Sequence, residues 1–237
     1  VTRTWDSPQP GSDEINRAHS DAWVGTQGYL RSDGSRQKRA VAFIGNVIAL
    51  DGTEVPELFV VDIPDDVTDA DTRPLCGTPS TRPAPPKGTR QRRLTRTTDR
   101  KHPGLGAVRH WPRSSPDGSK IAFLMPDNEG QTQLWTISTT GNGLRQLTGS
   151  EMAVESAFTW RPDSRAIACV IGGRICEIDS ETGTSTPRTA RSDGDEGPRP
   201  EAVVYSPDGA CIAFMRQVKS IDGTFNQVFV ARSELGQ

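Results

Sequence analysis

The chain has no apolar run approaching the roughly 18 residues that a membrane helix needs. Residues 1–17 are polar throughout, so no secretory leader is visible, and the chain opens on Val rather than Met. Cytoplasm is therefore the default expectation. Histidine is scarce, with His19, His102 and His110 the only three. The four cysteines, Cys76, Cys169, Cys176 and Cys211, show no CxxC spacing of the kind that holds zinc. Three of them fall in strand patterns and read as small buried thiols, while Cys76 lies in a loop. Neither charge dominates: 28 basic residues stand against 30 acidic ones, for a net charge of −2. That balance gives no basis for non-specific binding to nucleic acid or to an anionic membrane. Walker-type, GxGxxG and GxSxG motifs are all missing, which removes the nucleotide, dinucleotide and serine-hydrolase signatures. No cofactor is expected.

What the chain has is turns, with 23 Gly and 18 Pro. The segment 109–148, RHWPRSSPDGSKIAFLMPDNEGQTQLWTISTTGNGLRQLT, reads as four short strands joined by three turns. In Ser115-Pro116-Asp117-Gly118, Pro presets φ, Asp bonds back to the backbone and Gly accepts a positive φ. The unit recurs as Trp160-Arg161-Pro162-Asp163-Ser164 before RAIACV, and as Tyr205-Ser206-Pro207-Asp208-Gly209 before ACIAFM. The turn aspartates Asp117, Asp163 and Asp208 thus return about every 45 residues, the period of a four-stranded propeller blade. A looser copy begins at Ser32-Asp33-Gly34 and carries an insert, residues 65–87, that is first acidic and then Pro-rich and reads as a flexible spacer. The expected class is all-β, a propeller of four-stranded blades. Phe43, Ile121, Phe123, Trp135, Ile137, Ile167, Ile212 and Phe214 hold equivalent positions and should be buried between blades.

SPDGSKIAF followed by an LW-type strand and RQLT resembles the TolB-type, WD-like propeller repeat across residues 20–231. PQPGSDEINRAHSDAWVG, VPELFVVDIP, GTRQRRLT and HPGLGAVRHWPRSSPDGSKIAFLM, in that order, resemble the YidR-like bacterial family. That family has no assigned chemistry, so the resemblance implies a fold and almost nothing about a reaction. The wider TolB resemblance implies the periplasm as the alternative compartment. YidR-like members are also longer at the N-terminus. The expected division is a remnant of a preceding blade at 1–17, with Val1 to Trp5 as its strand. Blades follow at 18–98, 109–150 and 154–190, and an incomplete blade at 199–237. Such a chain forms an open arc with an uncovered apolar face at each end, prone to self-association. In the alternative, a closed four-bladed ring, Val1 to Trp5 supplies the last outer strand.

Two groups of residues are candidate ligand sites. In WD-like blades the first strand is innermost and starts beside a central channel. Arg109 and His110, Glu155, and Arg199 with Glu201 hold that place in successive blades, so they should share one channel mouth. The polar stretch with Asp13, Glu14, Asn16, Arg17 and His19 is either a solvated loop, or a helical turn capped by Ser12, or a second site-forming loop. The function expected is a non-catalytic scaffold for an unknown protein, small molecule or oligosaccharide. The alternative is a carbohydrate-active enzyme resembling the oligouronide lyases, with a polar or metal site drawing on His19, His102 and His110.

Overall fold

The computed structural model describes residues 1–71, 73–106, 111–149, 152–192 and 194–233. Its regular structure is almost entirely β, and among the described residues no helix is long and apolar enough to cross a membrane. The first sheet contains β1 (Ile15–Trp23), β4 (Ala40–Ile48), β5 (Glu54–Asp62) and β6 (Arg90–Arg93), paired antiparallel in that order; β2 (Tyr29–Leu30) and β3 (Arg36–Gln37) make a small hairpin between β1 and β4. The second sheet runs β7 (Arg113–Ser114), β8 (Lys120–Pro126), β9 (Thr132–Ser138), β10 (Arg145–Gln146). The third runs β11 (Thr159–Trp160), β12 (Ala166–Ile171), β13 (Arg174–Asp179), β14 (Ser185–Pro187). The fourth has three strands, β15 (Pro198–Tyr205), β16 (Cys211–Ser220) and β17 (Gly223–Arg232).

The turn chemistry explains why the sheets repeat. Each turn aspartate accepts a hydrogen bond from the backbone N–H two residues on: Ser119 to Asp117 at 2.9 Å, Arg165 to Asp163 at 3.0 Å and Ala210 to Asp208 at 2.9 Å. Gly118 and Gly209 supply the positive φ that follows, and Ser164 adopts it too, at 66°. Ser164 is held in that costly region by a second bond, since its Oγ accepts from Asp117 N at 3.1 Å, joining one turn to the next. The first two sheets meet in the same way: Thr26 N donates to Pro116 O at 2.8 Å, and Gly25 N to Ser114 Oγ at 3.0 Å. A Cβ on Gly118 would lie 2.1 Å from Gly28 O, so the chains approach there as only glycine permits. The first strands β1, β7, β11 and β15 are neighbours in space, which makes this line of turns and short strands the inner rim.

Sheets stack face to face, and each interface has its own apolar cluster. Ala42, Ile44, Leu58 and Val60 meet Ile121, Phe123, Met125 and Ile137 between the first two sheets. Leu124 and Leu134 meet Trp160, Ile167, Cys169 and Ile178 between the second and third. Ala168, Val170 and Ile175 meet Val203, Ile212 and Phe214 between the third and fourth. Two of the expected core residues sit elsewhere. Trp135 pairs with Phe123 in register but is only partly buried, because its indole reaches the rim of the interface and donates to Met125 O at 2.9 Å. Phe43 is buried, yet on the outward face of the first sheet, stacked on Phe59 at 5.5 Å.

That outward face corrects the expectation of bare faces at both ends. Ile15, Phe43, Val47, Phe59 and Val61 are buried, and among the described residues no further sheet lies across them. The N-terminal segment and the insert lie there instead. Trp5 N donates to Ile15 O at 2.8 Å, and Arg3 N to Gln91 Oε1 at 2.9 Å. From the insert, Arg82 reaches Asp6 at 2.6 Å and Asn16 O at 2.7 Å, while Pro86 is buried. Residues 65–87 are therefore a lid on the first sheet rather than a free spacer, irregular in structure but tied at several points. Val1 to Trp5 carry no strand, neither as a remnant of a preceding blade nor on the last sheet as ring closure required. Among the described residues the four sheets form an open arc, with one end covered.

Candidate functional site

Of the expected channel-mouth residues, Arg109 and His110 lie outside the described residues. Glu155 precedes β11, and its Oε2 accepts from Gly173 N at 3.2 Å. Arg199 and Glu201 lie on β15 and pair with one another at 3.2 Å. The chain segments that carry them touch, since Ala157 N donates to Pro200 O at 2.9 Å. Glu155 is nonetheless committed to a turn of its own sheet and the Arg199–Glu201 pair to its own strand.

The stretch with Asp13, Glu14, Asn16, Arg17 and His19 is neither a solvated loop nor a helical turn beyond residue 14, because β1 begins at Ile15. Its register shifts between Ile15 and Arg17 and again between His19 and Ala22, so the alternation that marks a strand is broken twice. Asn16 donates to Glu54 at 2.7 Å, Asn46 donates to Glu54 at 2.6 Å, and His19 Nε2 lies 3.2 Å from Asn46 Oδ1. These side chains tie three strands together. Arg17 is exposed. Among the described residues, no three His, Cys, Asp or Glu side chains gather where they could hold a metal ion. His102 packs its ring on Gly130, with Nε2 buried and unpartnered.

Asp13 and Glu14 do line a concavity. Between the N-terminal segment, the insert and the first sheet lies a cleft of about 380 Å³, with Arg3, Trp5, Arg73 and Arg93 on its walls and Phe59 beneath. Arg93 is held by Glu57 at 2.8 Å and Asp13 at 3.4 Å, and Arg96 also reaches Asp13 at 2.8 Å. Glu57 is fully buried and further accepts from Thr97 N at 2.6 Å and Thr97 Oγ1 at 2.9 Å. Arg3 stacks over the Trp5 ring at 5.1 Å. Among the described residues that line it, Asp13 and Arg93 are paired with one another.

A different surface lies at the far end of the arc, on the fourth sheet. Side chains alternate along β16 and β17. Ile212, Phe214, Phe229 and Ala231 face the third sheet. On the opposite face, Val204, Ala213 and Val230 stand in one cross-strand row, and Met215 pairs with Val228 in the next. Nothing among the described residues covers this face: Val204, Val228 and Val230 are 48%, 69% and 65% exposed. Sequence reading placed an incomplete blade here but missed its long hairpin, because VKSIDGTFNQ is mostly polar with no clean apolar alternation, although Asp222-Gly223 is a tight-turn signal and stands at the hairpin's end.

Where the third and fourth sheets meet, a buried carboxylate fastens them. Glu177 accepts from Arg188 at 2.7 Å and Arg161 at 3.2 Å within its own sheet, and from Tyr205 OH at 2.7 Å and Ser233 Oγ at 2.8 Å across the interface. Burial alone would raise its pKa, but the bonds from Arg188, Tyr205 and Ser233 outweigh it and hold the carboxyl below its usual range. Burial, and then the bond to Glu177, push the Tyr205 phenol up, so it stays a donor. Its bonds cross from the third sheet to Tyr205 and Ser233 of the fourth, so the cluster is a fastener.

Four antiparallel sheets, stacked on their faces with their first strands along an inner rim, define an open β-propeller arc among the described residues. The chain matches no established family model. It is 43% identical over 219 residues to "Uncharacterized protein YidR" of Escherichia coli K12, which covers 91% of this chain and 49% of that protein. Over those residues it is similar to that protein, and it spans about half the length of that relative. Among solved structures it is similar to TolB from Acinetobacter baumannii, at 18% identity over 89% of this chain and 44% of that one, TM-score 0.43. It is likewise similar to an acylaminoacyl peptidase from Pyrococcus horikoshii, at 12% identity over 84% of this chain and 31% of that one, TM-score 0.48.

Proposed function

We propose that this chain is a non-catalytic binding scaffold and that its ligand is a protein, docked on the fourth sheet. The observation that carries this reading is the row of exposed valines, Val204, Val228 and Val230, on one face of a regular sheet whose other face packs Ile212 and Phe214 against the third sheet. Apolar groups contiguous on a flat, rigid surface are what a protein interface supplies at its centre. The cleft at the other end is polar, and its central charges are already paired, which leaves little to drive binding of an apolar partner.

The test is a photo-crosslinking phenylalanine analogue at position 228 of the full chain in its own cells. The adduct is identified by mass spectrometry, and the partner is then purified and titrated against the wild type and Val228→Lys/Val230→Lys. A protein adduct whose affinity falls at least about tenfold with the lysines supports the reading. Absence of any protein adduct, or a partner indifferent to the lysines, overturns it.

A further inference from the structure

Strand β6 reads RQRR, and its alternation sends the arginines to two faces of the first sheet. Arg93 stands opposite Phe59 on the outward face, where Glu57 and Asp13 neutralise it. Arg90 and Arg92 stand opposite Asp62 and Val60, on the face turned to the second sheet. There they border a cleft of about 280 Å³, between the β2–β3 hairpin, the edge formed by β5 and β6, and the turn at Thr140 of the second sheet. Arg31, just after β2, lines the same cleft. Three guanidinium groups thus gather around one buried carboxylate. Asp62 accepts from Tyr29 OH at 2.8 Å and from Arg92 at 3.1 Å, and lies 3.8 Å from Arg31. Asp33, at the exposed rim, is taken up by Ser35 N and Oγ of its own turn, at 2.9 and 2.6 Å. Burial, and then the bond to Asp62, push the Tyr29 phenol up to about 12, so it adds no negative charge. The lining therefore carries three positive charges against two negative ones. Donors are in excess as well. Among the described residues the Arg90 side chain has no hydrogen bond or ion pair, and the Nε atoms of Arg31 and Arg92 are buried without a partner. A buried donor left unpaired costs free energy, and the neighbouring cations on one strand face repel one another.

We propose that this cleft binds a tetrahedral oxyanion, either free phosphate or the phosphate group of a small phosphomonoester, held by Arg31, Arg90 and Arg92. The site is separate from the docking surface on the fourth sheet and does not depend on it. Guanidinium forks that arrive from three backbone positions suit oxygens pointing in several directions, whereas a planar carboxylate fills one fork. The volume lies just under the roughly 300–1,000 Å³ of ordinary ligand pockets, which fits a small molecule. Bound anion would take up the spare donors and relieve the repulsion between Arg90 and Arg92. It would also lie against both of the first two sheets, where Arg92 already reaches across to Thr139 O at 3.4 Å. Occupancy therefore ties the β2–β3 hairpin and the β9–β10 turn to one ligand.

Isothermal titration of the full chain with inorganic phosphate and, separately, with glycerol 3-phosphate tests this. The titrations are run in about 0.15 M sodium chloride, which screens non-specific attraction between exposed charges. Saturable one-to-one binding is expected, and the tighter of the two probes tells free phosphate from a monoester as the ligand. Succinate, a carboxylate of similar size, should bind at least about tenfold more weakly than the better phosphate probe. Arg90→Gln should weaken phosphate binding at least about tenfold, the loss of one charge-assisted hydrogen bond. Its urea midpoint without ligand should not fall, because the Arg90 side chain has no partner to lose. Arg31→Gln should weaken binding in the same way. Arg174→Gln, which removes an exposed arginine of the third sheet, should leave binding unchanged. Bound phosphate should slow hydrogen exchange in residues 29–37 and leave the fourth sheet as it was. No saturable binding of either probe up to about 10 mM, binding that survives Arg90→Gln, an equal loss with Arg174→Gln, or succinate bound as tightly as phosphate each overturns the proposal.

Discussion

Replacing Tyr205 with Phe removes one hydroxyl and leaves the ring. Its OH is the donor that reaches from the fourth sheet to buried Glu177 on the third, at 2.7 Å. A hydrogen bond to an ionised acceptor contributes about 1.5–3 kcal/mol, against about 1 kcal/mol for a neutral pair. Three donors remain on Glu177 after the change, from Arg188, Arg161 and Ser233, so its charge is not abandoned. The lower half of that range, about 1.5–2 kcal/mol, is the expected loss in urea unfolding at neutral pH. Removing the carboxylate with Glu177→Ala should cost more, about 3–5 kcal/mol, because Arg161 and Arg188 are then left without their partner. The pH dependence follows from the sign of the shift. Glu177 has a folded pKa below its unfolded value of about 4.3, so its contribution is complete above that value and is lost as pH falls through the folded one. The deficit of Tyr205→Phe should shrink over the same acid window. A deficit below about 0.5 kcal/mol at neutral pH, or one independent of pH down to acid unfolding, would refute the idea that this bond fastens the last sheet.

Phe59→Ala should destabilise by about 3–5 kcal/mol in the same assay, and Trp135→Ala by less, since Phe59 is fully buried and Trp135 is not. Arg82→Ala should change global stability by under about 1 kcal/mol while speeding hydrogen exchange in the segments it joins, residues 1–14 and 65–87. In native protein, Ellman's reagent should titrate Cys76 at once, because it is exposed, and reach Cys169 only on unfolding, because it is buried and its thiol is pushed up by desolvation.

The blades could be read in the sequence because their signals are local. A Pro-Asp-Gly turn fixes where a strand begins, and SPDGSKIAF, RPDSRAIACV and SPDGACIAFM mark the second strands of three sheets at the observed positions. Ile121, Phe123, Ile137, Ile167, Ile212 and Phe214 lie between sheets as that register requires. The first strand of the first sheet was hidden because INRAHSDAW is polar and twice bulged, and its side chains are satisfied by Asn46 and Glu54, which are distant in sequence. The lid was hidden for a related reason. Nothing in residues 65–87 has a period, and what holds them, Arg82 on Asp6 and Pro86 over the first sheet, is fixed only by tertiary contact. Glu177 likewise gave no sign in ICEID that two arginines, a tyrosine and a serine from two sheets would converge on it.

The glycine contact at the inner rim has a geometric consequence for the whole arc. Gly118 and Gly28 meet so closely that the first two sheets touch at their inner ends with backbone against backbone, while the bulky Phe123, Leu58 and Ile137 fill the space further out. The space between the first two sheets is thereby a wedge, narrow at the rim and wide at the periphery, and the wedge angle sets how sharply the arc bends there. A single methyl group at position 118 would act as a shim at the point of the wedge. It would splay the rim and straighten the arc there, and it would carry the fourth sheet to a new bearing relative to the first without touching the fourth.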